Sequence, residues 1–441
     1  MNRIMVLGIG PLSIEDSTTF HAGGNRAWHL TKALLDEGFE VVLVCMGITG
    51  GDAQTGLERV KEDGRLTYIL CDELQCFARD EYLQEKINAY QPCALVGACD
   101  YPAARACAVA GALPVWADIH GYPMGEAQAK AYHENEPGFL HHFWNIHRQA
   151  LLRADRFSVT SERQRMATLG ELGAMGRLNP GVFCEDLVCE IPIAWDPRTP
   201  YAPPQRQRNE PLTVFSCGGY NHWCDEATLF AGLERAMQRD ERIRFLSTGG
   251  AIAGHDERTY PRFLQRVEAS PYRERFDLRG WVPKAELAQC YAQAHVGITV
   301  DLPCVESLIG ARNRITEWMA RGLPVIATRM PEISEVLHHN DAALTTPTGD
   351  AEALADAIVE AAEQPERMQE KAQRARQLFE ARYTYQPSTK ALSAWCRNPQ
   401  RSGDALHAPV ILDYRHFPAG EGQMGLKERF LKFLKGVIMS G

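Results

Sequence analysis

The stretch DLPCVESLIGARNRITEWMARGLPVIAT, residues 301–328, is where the architecture of this chain is easiest to read. Arg314 to Ala320 is predicted as a helix, the Gly322-Leu323-Pro324 turn ends it, and Val325 to Ala327 follows as a short apolar strand. The same stretch carries two acids, Glu306 and Glu317, around an Arg312-Asn313-Arg314 cluster. Carboxylates accept hydrogen bonds from sugar or ribose hydroxyls. Guanidinium groups and the free N–H groups of a helix start neutralise a diphosphate. A ligand that carries both hydroxyls and phosphates, a sugar nucleotide, suits that combination.

Outward from this segment the helix–strand alternation continues in both directions. Upstream, strands are predicted at Leu212–Ser216, Arg244–Ser247, Phe276–Leu278 and Val296–Val300, with helices at Ala227–Gln238 and Lys284–Gln293. Downstream come a strand at Ala343–Thr345 and an amphipathic helix at Ala351–Glu363. The N-terminal half repeats the pattern. Its strands are expected at Ile4–Leu7, Glu40–Cys45, Leu66–Leu70, Ala94–Gly97, Val115–Asp118 and Arg156–Thr160, with a helix at Asn25–Glu37. Short apolar strands alternating with helices imply parallel sheets covered on both faces. Between the halves, residues 196–211 hold five of the 25 prolines and read as a linker. The expectation is two doubly wound α/β domains, 1–195 and 212–380, that bind ligands in the crevice between the carboxyl ends of their strands.

Bulk properties narrow the function further. A net charge of −9 and a pI near 5.9 argue against nucleic acid as a partner. The start, MNRIMVLGIGPL, is broken by Gly and Pro too early for a signal peptide, and no apolar run approaches a membrane span. Thirteen cysteines without repeated spacing read as reduced thiols, which places the protein in the cytoplasm. Gly8-Ile-Gly-Pro-Leu-Ser13 lacks the third glycine of a dinucleotide fingerprint. His133, His141, His142 and His147 lack the spacing of metal ligands. Residues 401–441 differ in character, because 425–439 place Leu426, Phe430, Phe433, Leu434 and Val437 at helical spacing among lysines and arginine. Such a basic amphipathic helix suits peripheral contact with the inner face of a membrane, docking on its own N-terminal domain, or a homodimer.

Glu317-Trp-Met-Ala-Arg-Gly-Leu-Pro-Val-Ile resembles the Glu-Ala-Met-Ala-x-Gly-x-Pro-Val-Ile segment of retaining GT-B glycosyltransferases of the large family four, also called group 1. The resemblance implies two Rossmann-like domains facing a central cleft, the N-terminal one for the acceptor and the C-terminal one for the donor nucleotide. A crossover helix, 381–400, is then expected to return to the first domain. In that family the Glu matching Glu317 holds the donor ribose, and a second Glu eight positions earlier contacts the donor sugar. Position 309 is Ile, and the nearest upstream acid is Glu306, eleven positions before Glu317. Either an insertion stretches the loop or the first acid is missing; the strand and Pro-containing loop before Glu306 favour the insertion.

Other matches fall where the resemblance predicts. Gly23-Gly24-Asn25 is similar to the double Gly near the donor phosphates or the acceptor, and His120 to a strand-end His that touches the donor sugar. Gly280-Trp281-Val282-Pro283 is similar to a turn whose backbone reads the base edge, with Trp281 placed to stack. The loop Cys217–Asp225, with Gly219 and Asn221 as neutral donors, corresponds to one that carries a diphosphate-binding Lys, and that position is here Asp225. Arg312 and Arg314 are the substitutes; they diverge on a helix, so one is expected to bind phosphate. Arg314, three positions before Glu317 and on its helical face, is favoured. The implied activity is transfer of a sugar from a nucleoside-diphosphate sugar to a hydroxyl of a glycan, a lipid-linked sugar or a small molecule. It proceeds with retention and needs neither cofactor nor metal, with His120, Glu306 and Arg314 as catalytic residues. A sugar-nucleotide epimerase and a catalytically silent subunit of a transferase complex are the alternatives.

Overall fold

The computed structural model describes residues 2–12, 14, 22–47, 59–72 and 77–406. The N-terminal sheet contains β1 (Arg3–Gly10), β2 (Glu40–Gly47), β3 (Arg59–Asp63), β4 (Leu66–Asp72), β5 (Ala94–Ala98), β6 (Val115–Ile119), β7 (Arg156–Val159) and β8 (Val188–Glu190). Their spatial order is β3-β4-β2-β1-β5-β6-β7-β8, parallel except for β3 against β4. The C-terminal sheet contains β9 (Leu212–Ser216), β10 (Ile243–Ser247), β11 (Phe276–Leu278), β12 (Val296–Thr299), β13 (Val325–Thr328) and β14 (Leu344–Thr346). Its order, β11-β10-β9-β12-β13-β14, is the doubly wound arrangement, parallel throughout.

Each sheet separates two apolar clusters, one per face. In the first domain Met5, Leu7 and Val44 face one side while Ile4, Val6 and Leu43 face the other. Burial on both sides is why the strands are continuous apolar runs. Two strands escaped the sequence reading. RVKED of β3 is a polar edge strand, and VCE of β8 is only three residues long; neither offers an apolar run.

The last described helix, Lys390–Arg397, lies on the first domain. Leu392 and Cys396 join the Ile4–Val6 cluster, Trp395 meets Trp116 at 5.5 Å between ring centroids, and Asn2 donates to the Cys396 carbonyl at 3.0 Å. The basic amphipathic segment 425–439 lies outside the described residues. No helix among the described residues is long and apolar enough to cross a membrane.

The domains are clasped at two places. On one side Glu332 accepts from the backbone N–H of Glu162 at 3.1 Å and of Arg163 at 2.8 Å, which caps the helix Glu162–Ala174 from the opposite domain. On the other, Lys130 donates to the Gly254 carbonyl at 2.9 Å and Arg258 to that of His133 at 2.9 Å.

Candidate active site

Residues 301–321 fold as a single helical turn, Val305–Ile309, followed by the helix Asn313–Arg321. Glu306 lies in this turn, 2% exposed, and both its oxygens bind Arg312, at 3.1 Å from Nη1 and 2.9 Å from Nη2. Arg312 Nε donates to Asp301 at 2.8 Å, and the guanidinium lies over the Trp223 ring at 5.7 Å. Arg312 is thus enclosed by two acids and an aromatic face, and does not present its fork to the cleft. Burial raises the Glu306 carboxyl above its ordinary range while Arg312 opposes the shift. Expectations that Arg312 binds phosphate and that Glu306 faces the sugar therefore meet a buried ion triad. The reason is local: the turn Val305–Ile309 carries Glu306 into the interior, where its acid pairs with the nearest cation.

Arg314 has a different environment. It is partly exposed, and its Nη2 donates to the Gly219 carbonyl at 2.9 Å. Gly218 adopts φ 88°, and Gly249 packs against its carbonyl, so the loop after β9 folds over toward the start of the Asn313–Arg321 helix. Arg314 and Gly219 therefore meet beyond the carboxyl end of β9. Asp225 does not face this point. Its side chain accepts from the Thr228 N–H at 2.9 Å and caps the helix Glu226–Arg239.

One turn beyond Arg314, Glu317 accepts from Arg321 Nε at 2.9 Å, and Arg321 stacks on Tyr291 at 4.1 Å. The pair holds the carboxylate in place and leaves its second oxygen without a described partner. The Asn313 side-chain oxygen is buried and unpartnered. Trp281 is half exposed and is fixed by its indole N–H donating to the Ala251 carbonyl at 2.9 Å, with Val282 partly buried beside it.

From the first domain, β6 delivers His120 to the cleft. The adjacent Asp118 does not hold it, because Asp118 is bound by Arg26 at 2.6 and 2.9 Å and by the Ser158 hydroxyl at 2.6 Å. This buried Arg26–Asp118 pair carries no sequence signal and was not foreseen. His120 Nδ1 is buried without a partner, and burial, aided by Arg26, lowers the ring to about 4, so it is neutral at physiological pH. Six residues on, Glu126 is pushed up to about 8 by burial, then by Glu306 and Asp100, with Arg312 opposing. Gly23 and Gly24 open the helix Ala22–Asp36; a Cβ on Gly24 would stand 2.1 Å from the Pro11 carbonyl oxygen, so close packing on the end of β1 requires glycine there. Among the described residues no group of three or more His, Cys, Asp or Glu side chains is disposed to hold a metal ion.

Residues 214–364, which span the second sheet, match the family model for glycosyl transferases group 1. No curated protein matches the chain by sequence. Among solved structures, sucrose-phosphate synthase from Thermosynechococcus elongatus superposes with a TM-score of 0.65 at 17% identity, covering 90% of this chain and 98% of that one. HepE from Anabaena in complex with UDP-glucose gives 0.61 at 15%, over 89% and 99%. A trehalose-6-phosphate protein from E. coli, bound with UDP-2-fluoro glucose, gives 0.65 at 12%, over 91% and 100%. The fold is GT-B, and residues 214–364, within the second domain, match the group 1 glycosyltransferase family.

Proposed function

We propose that the enzyme moves a sugar from a nucleoside-diphosphate sugar to a hydroxyl acceptor with retention of configuration and without a metal ion. The observation that carries this reading is Arg314, a partly exposed guanidinium at the glycine turn after β9 and one helical turn from Glu317. In the reaction the bond from C1 of the sugar to the diphosphate breaks and a bond from C1 to the acceptor oxygen forms on the same face. The acceptor proton passes to the departing phosphate oxygen as charge builds there. Arg314 and the N-terminal turn of the Asn313–Arg321 helix stabilise that charge. The free oxygen of Glu317 receives the ribose hydroxyls, the Trp281–Val282 turn receives the base, and neutral His120 meets the sugar. Gly23 and Gly24, at the start of the helix Ala22–Asp36, receive the donor phosphates or the acceptor. The cytoplasm is the place of action, and 425–439 is the segment through which a membrane contact or a homodimer is to be sought.

HepE and the E. coli protein were solved with UDP-glucose and UDP-2-fluoro glucose, so UDP-glucose is the first donor to test. The decisive measurement is release of free diphosphate from UDP-, GDP-, ADP- and dTDP-glucose, with wild type and with Arg314→Ala. The arginine variant is expected to lose about 100-fold or more in turnover, as for removal of one preorganised charge donor, while Arg314→Lys recovers part of it. A wild-type rate in Arg314→Ala would remove the phosphate role. Conversion of the sugar without release of diphosphate would identify an epimerase, and neither conversion nor release would identify a silent subunit.

A further inference from the structure

Glu126 lies outside the donor-side constellation, yet the fold brings its carboxyl group into the throat between the domains. Gly121, directly after His120, adopts φ 92° and turns the chain into the helix Pro123–Glu134. The turn leaves Oε1 of Glu126 only 2.8 Å from where a Cβ on residue 121 would stand. Gly125 presses on the opposite domain, since a Cβ there would be 3.0 Å from Glu306 Cα. The carboxyl group is therefore flanked by the end of β6 on its own domain and faces the Glu306–Arg312 pair across the throat.

Two polar groups at this strand end lack partners. No described residue hydrogen-bonds Glu126, and Nδ1 of His120 is buried and unsatisfied. A buried polar atom without a partner is uncommon, and the His120 nitrogen, beside a partly buried carboxyl group that no described residue binds, points to a ligand that supplies what both need. Their protonation states specify its chemistry. Burial and the neighbouring Glu306 and Asp100 keep Glu126 protonated up to about pH 8, and His120 is neutral. A carboxylic acid and a neutral imidazole each donate one hydrogen bond and accept another. A hydroxyl has the same dual capacity, whereas a phosphate would meet no cation from this pair.

We propose that Glu126 binds a hydroxyl of the sugar carried by the donor, beside His120 at the end of β6. This rests on the donor reading above. Below about pH 8 the acid donates to the hydroxyl; as pH rises through that value it ionises beside Glu306 and loses the proton it donates. Recognition of the sugar, but not of the nucleotide, should weaken across that range.

Calorimetric titration of UDP-glucose against UDP, and of the GDP, ADP and dTDP pairs, tests this at about pH 6.5 and about pH 9.5. The readout is the affinity ratio of sugar nucleotide to bare diphosphate. In wild type the ratio is expected to fall by about fivefold or more at the higher pH, the worth of one hydrogen bond. Glu126→Gln, permanently neutral, should keep its ratio at both values, Glu126→Ala should lose it at both, and affinity for the bare diphosphate should stay constant. A Gln variant with wild-type pH dependence, or a folded Ala variant with the wild-type ratio, overturns the assignment. A flat ratio in wild type overturns it while leaving the donor reading intact, whereas wild-type protein that binds none of the four pairs discards both. Should Glu126→Ala fail to fold, the Gln comparison decides alone.

Discussion

Arg312 is enclosed by Asp301, Glu306 and the Trp223 ring, whereas Arg314, two residues on, reaches the Gly219 carbonyl at the mouth of the cleft. Removing Arg312 strands two buried carboxylates in a medium that solvates them poorly, which is more damaging than the intact pair is beneficial. Arg312→Ala is therefore expected to lose about 3–5 kcal/mol of stability, seen as a melting temperature lowered by roughly 6 °C or more. Arg314→Ala should melt within about 2 °C of wild type, because its one bond to a loop carbonyl is partly exposed. A thermally silent Arg312→Ala would show that the buried triad does not hold the turn Val305–Ile309 in place. The helix and strand of 301–328 were legible in the sequence, and so was the divergence of the two arginines. Their assignment, one to the interior and one to the cleft, followed from the turn Val305–Ile309, whose path no local pattern specifies.

Helix ends carry two functions in this molecule. Asp225 caps Glu226–Arg239 within its own domain, a local event in which an Asp precedes a helix and accepts from the N–H three residues on. That signature was present in the sequence, but comparison with a lysine position drew attention to a missing charge instead. Glu332 caps Glu162–Ala174 across the cleft, and Arg163 reinforces it by donating to the Met330 carbonyl at 2.7 Å. These residues are about 170 positions apart, so no sequence window contains both. Glu332→Ala leaves two helix N–H groups to water and costs about 0.5–2 kcal/mol of interdomain association. Small-angle scattering from the unliganded variant is expected to show a larger radius of gyration than wild type. An unchanged radius would mean that the Lys130 and Arg258 contacts suffice to hold the domains together.

At the scale of the whole molecule, two doubly wound sheets face each other, with Arg314 on the side of one and the His120 and Glu126 groups on the side of the other. If Arg314 and a helix N-terminus carry the charge of the leaving diphosphate, chelation by EDTA should leave diphosphate release within about twofold of the untreated rate. A larger loss, restored by a divalent cation, would transfer that role to a metal. The two-domain α/β architecture was readable without coordinates, because strands buried on both faces must be apolar and the helices between them leave a regular alternation. Edge strands β3 and β8 broke that rule, since one is polar and the other very short. By itself the sequence determined the fold class and the alternation of strands and helices in two sheets, all of them properties of local pattern and composition. Only the tertiary structure decided that Glu306 pairs with Arg312, that Arg26 takes Asp118 away from His120, and that Glu126 enters the throat. Those outcomes depend on which charges become neighbours when distant segments close on each other, and burial then sets both their pairing and their protonation.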